Sequence, residues 1–399
     1  MVQVSQGRGL LFILGAAHSL NHSLFLVLPP LLESVSRDLN ASFQTLGTIA
    51  TVSFFIYGLG ALFGGPLSDV LGGVRVTRLS LALSGASTFV FLLSRDTATF
   101  AAGMFLMALW SSFYHPTSNN LISRTYVTNT AGAMGIHGAA GSLGQIFTPT
   151  IAYVLGATID WRFAFVLFGV LSLITALVMG KASAESDSET REKMPLLEIF
   201  RVSNIWLIIL FNALIGLYSR GIELFFPTFL SVSRGFSGQL AAISNSLILL
   251  FGVAGQLLGG AAADRYGSSG VLTAYTLGVV ASALLLMLLP INAVGVVIFI
   301  VGYGISFFGH QPAMTALMGE VSPRSLMGAA YGAMFFFVFG LGSFSTMMAG
   351  YLADAFDLEA AFWFMSLFAV MALLVAVAIQ LKVRSGNRSV PTSAASGAP

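Results

Sequence analysis

Cysteine is absent from the 399 residues, which excludes disulfides, thiolate metal centres and cysteine nucleophiles. Charge is scarce. Asp, Glu, Lys and Arg make up 9% of the chain, against about 25% in an ordinary soluble domain. The formal net charge is only +2, so a nucleic-acid binder held by bulk positive charge is excluded. Neither a His-Glu-x-x-His zinc motif, a Gly-x-Ser-x-Gly elbow nor a phosphate loop occurs, and a membrane-embedded enzyme is correspondingly disfavoured. What is present is apolar: 56% hydrophobic residues, 43 Gly and 34 Phe, with a mean hydropathy of +0.88. This is the composition of a polytopic membrane protein.

A helix needs about 20 apolar residues to cross the hydrocarbon. Such stretches fall at about 9–33, 44–68, 74–94, 98–121, 131–157 and 161–181, then at about 203–230, 239–263, 269–291, 293–318, 325–352 and 358–381. The length of the first, and the lack of an A-x-A-like exit, argue against a cleaved signal peptide. Between the sixth and seventh lies a polar segment, Ala182 to Arg201, with Glu185, Asp187, Glu189, Arg191, Glu192, Lys193 and Glu198. The expected organisation is an N-terminal six-helix bundle (1–181), a cytoplasmic linker (182–202), a C-terminal six-helix bundle (203–384) and a disordered Ser/Ala/Pro-rich cytoplasmic tail (385–399). A closed β-barrel is a poor alternative, because its strands would alternate polar and apolar residues and these runs are apolar all round. Lys and Arg crowd one side, among them Arg75, Arg78, Arg124, Lys181, Arg265 and Arg324; the other side has Arg37, Arg95, Arg162 and Arg234. That bias places both termini and the linker in the cytoplasm; the expected location is a bacterial-type inner membrane.

The two halves repeat. Gly64-Gly65-Pro66-Leu67-Ser68-Asp69 after span 2 corresponds to Gly259-Gly260-Ala261-Ala262-Ala263-Asp264 after span 8, an offset of 195 residues. The same offset carries Phe113-Tyr114-His115 onto Phe308-Gly309-His310, and Pro29-Pro30 in span 1 has a counterpart in Pro227 of span 7. Parallel repeats of this kind build transporters whose site lies near the midplane between them.

Gly-x-x-x-Asp between spans 2 and 3 of each half, twelve spans, a charged central loop and Asp160-Trp161-Arg162 opening span 6 resemble the major facilitator superfamily. Val70 stands where a basic residue is usual after Asp69, whereas Asp264-Arg265 keeps it. Ala17-His18-x-x-Asn21-His22, Leu28-Pro29-Pro30 and Tyr114-His115-Pro116 look similar to the fosmidomycin-resistance type, proton-driven exporters of a small phosphonate drug. The resemblance implies an all-α membrane fold of two pseudo-symmetric six-helix bundles. It also implies alternating access, with spans 1, 4, 7 and 10 around a central cavity. An inner-gate motif would comprise Gly65, Asp69, Arg75, Gly260, Asp264 and Arg265, with Asp69 and Asp264 latching the gate at helix N-termini.

Polar groups inside the hydrocarbon are costly, so each needs a reason. All five histidines fall within spans. His18, Asn21 and His22 share a face of span 1 by their spacing. His115 and Asn119 lie one turn apart on span 4, His310 is on span 10, and Arg220 and Glu223 lie three apart on span 7. At 1.5 Å per residue, His18 is about 15 Å from Arg8, His115 about 14 Å from Arg124 and His310 about 21 Å from Arg324. In a core about 30 Å thick these are mid-depth positions. The candidate substrate-binding or proton-coupling set is therefore His18, Asn21, His22, His115, Asn119, Arg220, Glu223 and His310. Blander readings stay open: Arg220 with Glu223 as a self-neutralising pair, His18 and His22 as interhelical glue, Asn119 and Asn120 as helix-end polars. His137, in a stripe of glycines every third residue from Gly132 to Gly144, is read as packing. His18 and His22 resemble half a zinc site, and a third ligand, His115, is conceivable; nothing in the spacing shows that the rings converge and thiolates are absent, so no metal and no cofactor is assigned.

The expected function is secondary transport of a small polar or anionic solute or drug, by proton-coupled efflux. Proton-coupled uptake of a small organic anion is the alternative, since span 4 lacks a buried arginine and span 5 lacks a compact Gly-Pro pair. The short loops disfavour a signalling role. The expected partners are the small-molecule substrate, protons and lipid, with no nucleic acid, and the chain is expected to act as a monomer.

Overall fold

The computed structural model describes residues 2–125, 130–182, 196–202, 205–289, 293–322 and 327–388. The described residues are helical, with no strand among them. Ten stretches are long and apolar enough to cross a membrane, and they match spans 1–3 and 6–12. Spans 4 and 5 are each divided into two shorter helices. Span 4 is α5 (Thr97–Ser111) and α6 (Tyr114–Thr125); span 5 is α7 (Thr130–Gln145) and α8 (Thr148–Thr158). Both breaks have a proline as their cause. Pro116 and Pro149 lack an N–H, and each falls in the first turn of the second helix, where none is needed.

The other N-terminal spans are α1 (Val2–Leu26) with the short α2 (Leu32–Asp38), α3 (Phe43–Leu71), α4 (Gly73–Ser87) and α9 (Trp161–Ala182). The C-terminal spans are α10 (Trp206–Thr228), α11 (Gly238–Tyr266), α12 (Ser268–Leu288), α13 (Ala293–Val321), α14 (Met327–Phe335) continued by α15 (Phe344–Ala355), and α16 (Leu358–Arg388). The linker falls mostly outside the described residues; its end, Leu196–Arg201, is a 3-10 turn. The helix of span 12 runs on to Arg388, and residues 389–399 of the expected tail lie outside the described residues.

The repeat is visible in the backbone. Ser42 caps α3 by accepting from the Thr45 N–H, and Ser237, 195 residues on, caps α11 by accepting from the Leu240 N–H. Both helices end on a glycine with positive φ, Gly72 at 88° and Gly267 at 86°, a conformation that a side chain disfavours. Gly60 lies against the Ser112 side chain just beyond α5, and Gly255, 195 residues on, against the Ile305 backbone of α13. A Cβ at either position would overlap the facing helix, so span 2 with span 4 and span 8 with span 10 are one packing solution used twice.

The outside is apolar where it meets lipid. Trp363, Leu367, Met371, Leu374 and Leu381 form an exposed stripe along α16, a surface that only a bilayer solvates well. At the end opposite the termini, Arg162 is buried. It donates to Asp38 Oδ2 at 2.6 Å, to Asp160 at 3.1 Å and to the Ser94 carbonyl, while Trp161 Nε1 donates to Asp38 at 3.1 Å. The Asp-Trp-Arg sequence thus ties three inter-span turns of the N-terminal bundle. In the C-terminal bundle Arg234 pairs with Glu359 at 2.9 Å.

The bundles meet along two seams. In one, Gly47, Gly58 and Gly350 bring α3 and span 11 together backbone to backbone. Thr51 Oγ1 lies 2.8 Å from both the Thr346 hydroxyl and the Ser343 carbonyl, and accepts from the Met347 N–H at 3.1 Å. Asp354 accepts from the Gln44 N–H at 2.6 Å and the Phe43 N–H at 3.2 Å. In the other seam Thr150 meets Ser246 at 2.9 Å and Ser142 donates to Gln256 at 3.2 Å. These contacts run from mid-depth to the end opposite the termini. They leave between the bundles a cavity of about 390 Å³.

Candidate functional site

The cavity is lined from both halves. His18, His22, Phe25, Phe54, Tyr57, His115, Asn119 and His137 come from the N-terminal bundle; Arg220, Glu223, Tyr303, His310, Gln311, Phe335 and Phe339 from the C-terminal one. Among its described lining residues Arg220 is the one cation besides histidine and Glu223 the one carboxylate.

On the N-terminal wall the histidines are a cluster. The His18 ring centroid lies 5.0 Å from that of His22, 5.0 Å from that of His115 and 4.4 Å from that of His137, and His22 lies 4.9 Å from His115. His137, read from sequence as packing, is therefore a member: its ring stacks on His18 with a 15° interplanar angle. The glycine stripe was the available signal. A Cβ on Gly141 would overlap the His18 ring, and one on Gly144 would overlap Ser19. The small face of α7 is what lets α1 bring its histidines in. His18 Nδ1 donates to the His137 carbonyl at 3.1 Å, which leaves the lone pair on Nε2. His115 Nε2 and both ring nitrogens of His137 are buried with no hydrogen-bond partner among the described residues.

Asn21 stands apart from this set. It is buried behind the wall, where its Nδ2 donates to the Ser111 carbonyl at 3.0 Å and its Oδ1 accepts from Tyr57 at 2.9 Å. Its amide ties spans 1, 2 and 4 and holds the Tyr57 ring at the cavity surface. Tyr57 itself was not singled out from the sequence, because a tyrosine in an apolar span looks like core.

On the C-terminal wall Arg220 and Glu223 pair twice, at 2.8 and 3.0 Å. The i,i+3 spacing permits this within one helix face. The guanidinium also faces the Phe339 ring at 4.7 Å and the Phe54 ring, from the opposite bundle, at 5.7 Å, distances at which a cation is attracted to a ring face. Its Nε has no hydrogen-bond partner among the described residues. His310 lines the same cavity but packs against Phe211 and Phe307, at 5.7 and 5.2 Å, away from the other four histidines. Asn119 lines the cavity as well. Gln256 was missed by the sequence reading. It accepts from the Ser142 hydroxyl of the other bundle, and its Nε2 donates to Gln311 of its own bundle at 3.5 Å, so one hydroxyl–amide bond crosses the interface here.

The gate motif is only partly described. Gly65 falls within α3, and the Asp69 side chain lies outside the described residues. Arg75, Asp264 and Arg265 are exposed at the end carrying the termini, Arg265 lies over the Tyr266 ring at 5.2 Å, and Gly260 is half-buried near Pro312.

Residues 11–347 match the family description Major Facilitator Superfamily. A gentisate transporter of Corynebacterium glutamicum is 27% identical over 378 residues, covering 88% of this chain and 82% of the relative. The fosmidomycin resistance protein of Escherichia coli is 24% identical over 375 residues, 88% of each chain. Among solved structures, a bacterial homologue of the human lysosomal transporter Spinster, inward-facing and unoccupied, aligns with a TM-score of 0.76 at 16% identity, over 94% of this chain and 97% of that one.

Proposed function

The chain belongs to the Major Facilitator Superfamily, and from that premise we propose that it carries a small, partly aromatic organic anion together with protons. As a member of that family it is a multi-pass membrane protein that moves small solutes across the bilayer. The observation that supports an anion is Arg220. It is the cavity's one arginine, it is flanked by Phe54 and Phe339, and its only described ionic partner is a carboxylate that a substrate carboxylate can replace.

The coupling follows from that replacement. While Arg220 faces Glu223 the two form a neutral unit. An anion that takes the guanidinium leaves Glu223 unpaired in a medium that penalises lone charge. A proton on Glu223 restores neutrality. Anion and proton then occupy the cavity together, which is the logic of cotransport, and alternating access carries both. Aromatic walls at Phe54, Phe335 and Phe339 suit a ring-bearing solute, of which gentisate, named for one relative, is a ready probe. In this reading both termini face the cytoplasm of a bacterial-type inner membrane. Arg75, Arg78 and Arg265 are exposed at that end, whereas Arg162 and Arg234 at the other are neutralised by carboxylates. Asp69 and Asp264 would latch the inner gate.

Proton-coupled efflux is the second reading, favoured by the similarity to the fosmidomycin resistance protein. The two are separated by the sign of one gradient. In proteoliposomes, labelled gentisate should accumulate when the lumen is made alkaline if anion and proton travel together, and when it is made acidic if they exchange. Glu223→Gln should abolish gradient-driven accumulation and keep gentisate counterflow. Unchanged gradient-driven uptake in that variant would remove Glu223 from the mechanism.

A further inference from the structure

The anion–proton reading uses the C-terminal wall and leaves the histidine cluster opposite it without a task. Interhelical glue explains one of its contacts, the bond from His18 Nδ1 to the His137 carbonyl. It does not explain why three more imidazoles gather at the same depth with ring centroids 4.4–5.0 Å apart.

Three features point to a ligand. First, His18, His22 and His115 each offer a ring nitrogen, and these atoms lie within 4.8 Å of one another. Bonds of about 2.0–2.1 Å to a tetrahedral zinc ion would bring the nitrogens to about 3.4 Å apart. Side-chain movements of about 1 Å close the difference. Second, the His18 tautomer is set. Its Nδ1 hydrogen goes to a backbone carbonyl, the partner that metal-binding imidazoles take on their far nitrogen. Third, His115 is 8% exposed, and its Nε2 is buried without a hydrogen-bond partner among the described residues. A polar atom so placed is costly unless something occupies the space it faces.

We infer that His18, His22 and His115 form a site for a late first-row divalent cation of the zinc type, its remaining position open to the cavity. Three neutral nitrogen donors without thiolate or carboxylate suit Zn²⁺, Co²⁺, Ni²⁺ and Cu²⁺ and do not suit Mg²⁺ or Ca²⁺. The ligands come from spans 1 and 4, and His137 of span 5 braces His18 from behind, so a bound ion would cross-link α1 to α6 and rest on α7. The Arg220 charge that the cation would face is partly offset by Glu223, which pairs with it on the same helix. The open position is where a water, or a donor atom of the transported solute, would bind.

The test needs full-length protein carrying an affinity tag free of histidine, stripped with chelator and titrated calorimetrically in detergent or nanodiscs. Zn²⁺ should bind with a stoichiometry of one per chain and Mg²⁺ should give no saturable signal. Co²⁺ should develop the visible d–d absorption of a four- or five-coordinate site and lose it when Zn²⁺ is added. His115→Gln should weaken Zn²⁺ at least about tenfold, and the combined His18→Ala, His22→Ala and His115→Gln variant should abolish the Co²⁺ signal. Absence of saturable Zn²⁺ binding by the unmodified protein, or a purely octahedral Co²⁺ spectrum, overturns the site whether or not the variants fold. Retention of both signals in the triple variant overturns it as well. None of these readouts involves transport, so they stand apart from the anion–proton reading.

Discussion

The two walls of the cavity share a scaffold and differ in their chemistry. Ser42 and Ser237 cap equivalent helices, Gly72 and Gly267 end them, and Gly60 and Gly255 seat them on equivalent partners, all at one offset. His115 and His310 occupy equivalent positions too, yet one joins a cluster of four imidazoles and the other packs among phenylalanines. The N-terminal wall holds neutral donors; the C-terminal wall holds a cation and an anion on one helix. Residues that set helix ends and close approaches are under the same steric demand in both halves. Those facing the cavity answer to the solute, which touches the two walls at different atoms.

The sharpest way to break this comparison is to remove the charge from one wall. Arg220→Ala leaves Glu223 facing the cavity without its partner. Losing one member of a buried pair costs about 3–5 kcal/mol; the 29% exposure of the Glu223 side chain points to the lower part of that range. Gradient-driven anion transport should vanish, and the thermal midpoint should fall. Arg220→Ala combined with Glu223→Gln should recover the midpoint and not the transport. A double variant as unstable as the single one would show that the pair is not a self-neutralising unit.

The next effect should be equal in both halves. Gly255→Leu forces α11 off the Ile305 backbone, and Gly60→Leu forces α3 off Leu109 and Ser112. Overpacking of this kind costs about 1–3 kcal/mol. Stability losses in the two variants should agree within about 1 kcal/mol if the seams are one solution used twice. A large disparity would show that the two seams are packed differently despite the shared helix ends.

How much of this was legible beforehand follows from what each feature depends on. Twelve spans, the central linker and the repeat depend on composition and spacing along the chain, and these were read from the apolar runs and from Gly64 and Gly259. The breaks at Pro116 and Pro149 were legible in principle, because proline chemistry is local. Depth was legible for His18 and His115, since it is a count of residues from a flanking arginine. Rotation was not. Whether Asn21 faces the cavity or the bundle interior depends on a fraction of a turn and on the Ser111 carbonyl that meets it, and neither is written in span 1. What His137 packs against was hidden for a related reason. A glycine stripe signals a close approach without saying what comes close, and here it is a second histidine-bearing helix.

A smaller effect should appear in the N-terminal wall alone. Tyr57→Phe removes the hydroxyl that Asn21 Oδ1 accepts at 2.9 Å, leaving a buried acceptor unsatisfied. The cost should be about 1–2 kcal/mol. Tyr57→Phe with Asn21→Leu should be less additive than two independent changes, because one bond is lost in both. Strict additivity of the midpoint shifts would mean that Asn21 does not work through Tyr57.

The smallest effect concerns the two seams between the bundles. The start of α3 is capped twice, by its own Ser42 and by Asp354 of the opposite bundle, whose carboxylate accepts from Phe43 and Gln44. The equivalent start of α11 is capped by Ser237, and Tyr153 of the opposite bundle packs on Gly238 there, with no ionic contact to it among the described residues. A carboxylate at a helix N-terminus contributes about 0.5–1 kcal/mol. That energy exists only while the bundles are closed at this end, so it biases the closed arrangement by about threefold. The lack of native cysteine makes this measurable with single reporters, Met347→Cys in the first seam and Ser246→Cys in the second. Asp354→Asn should raise the thiol-labelling rate at Met347→Cys by about threefold. A local latch would leave the rate at Ser246→Cys unchanged; opening of the whole end as one rigid motion would raise both alike. Equal increases would therefore dissolve the distinction between the seams, and an increase at the first alone would show that the closed end is held asymmetrically, by the half that supplies Asp354.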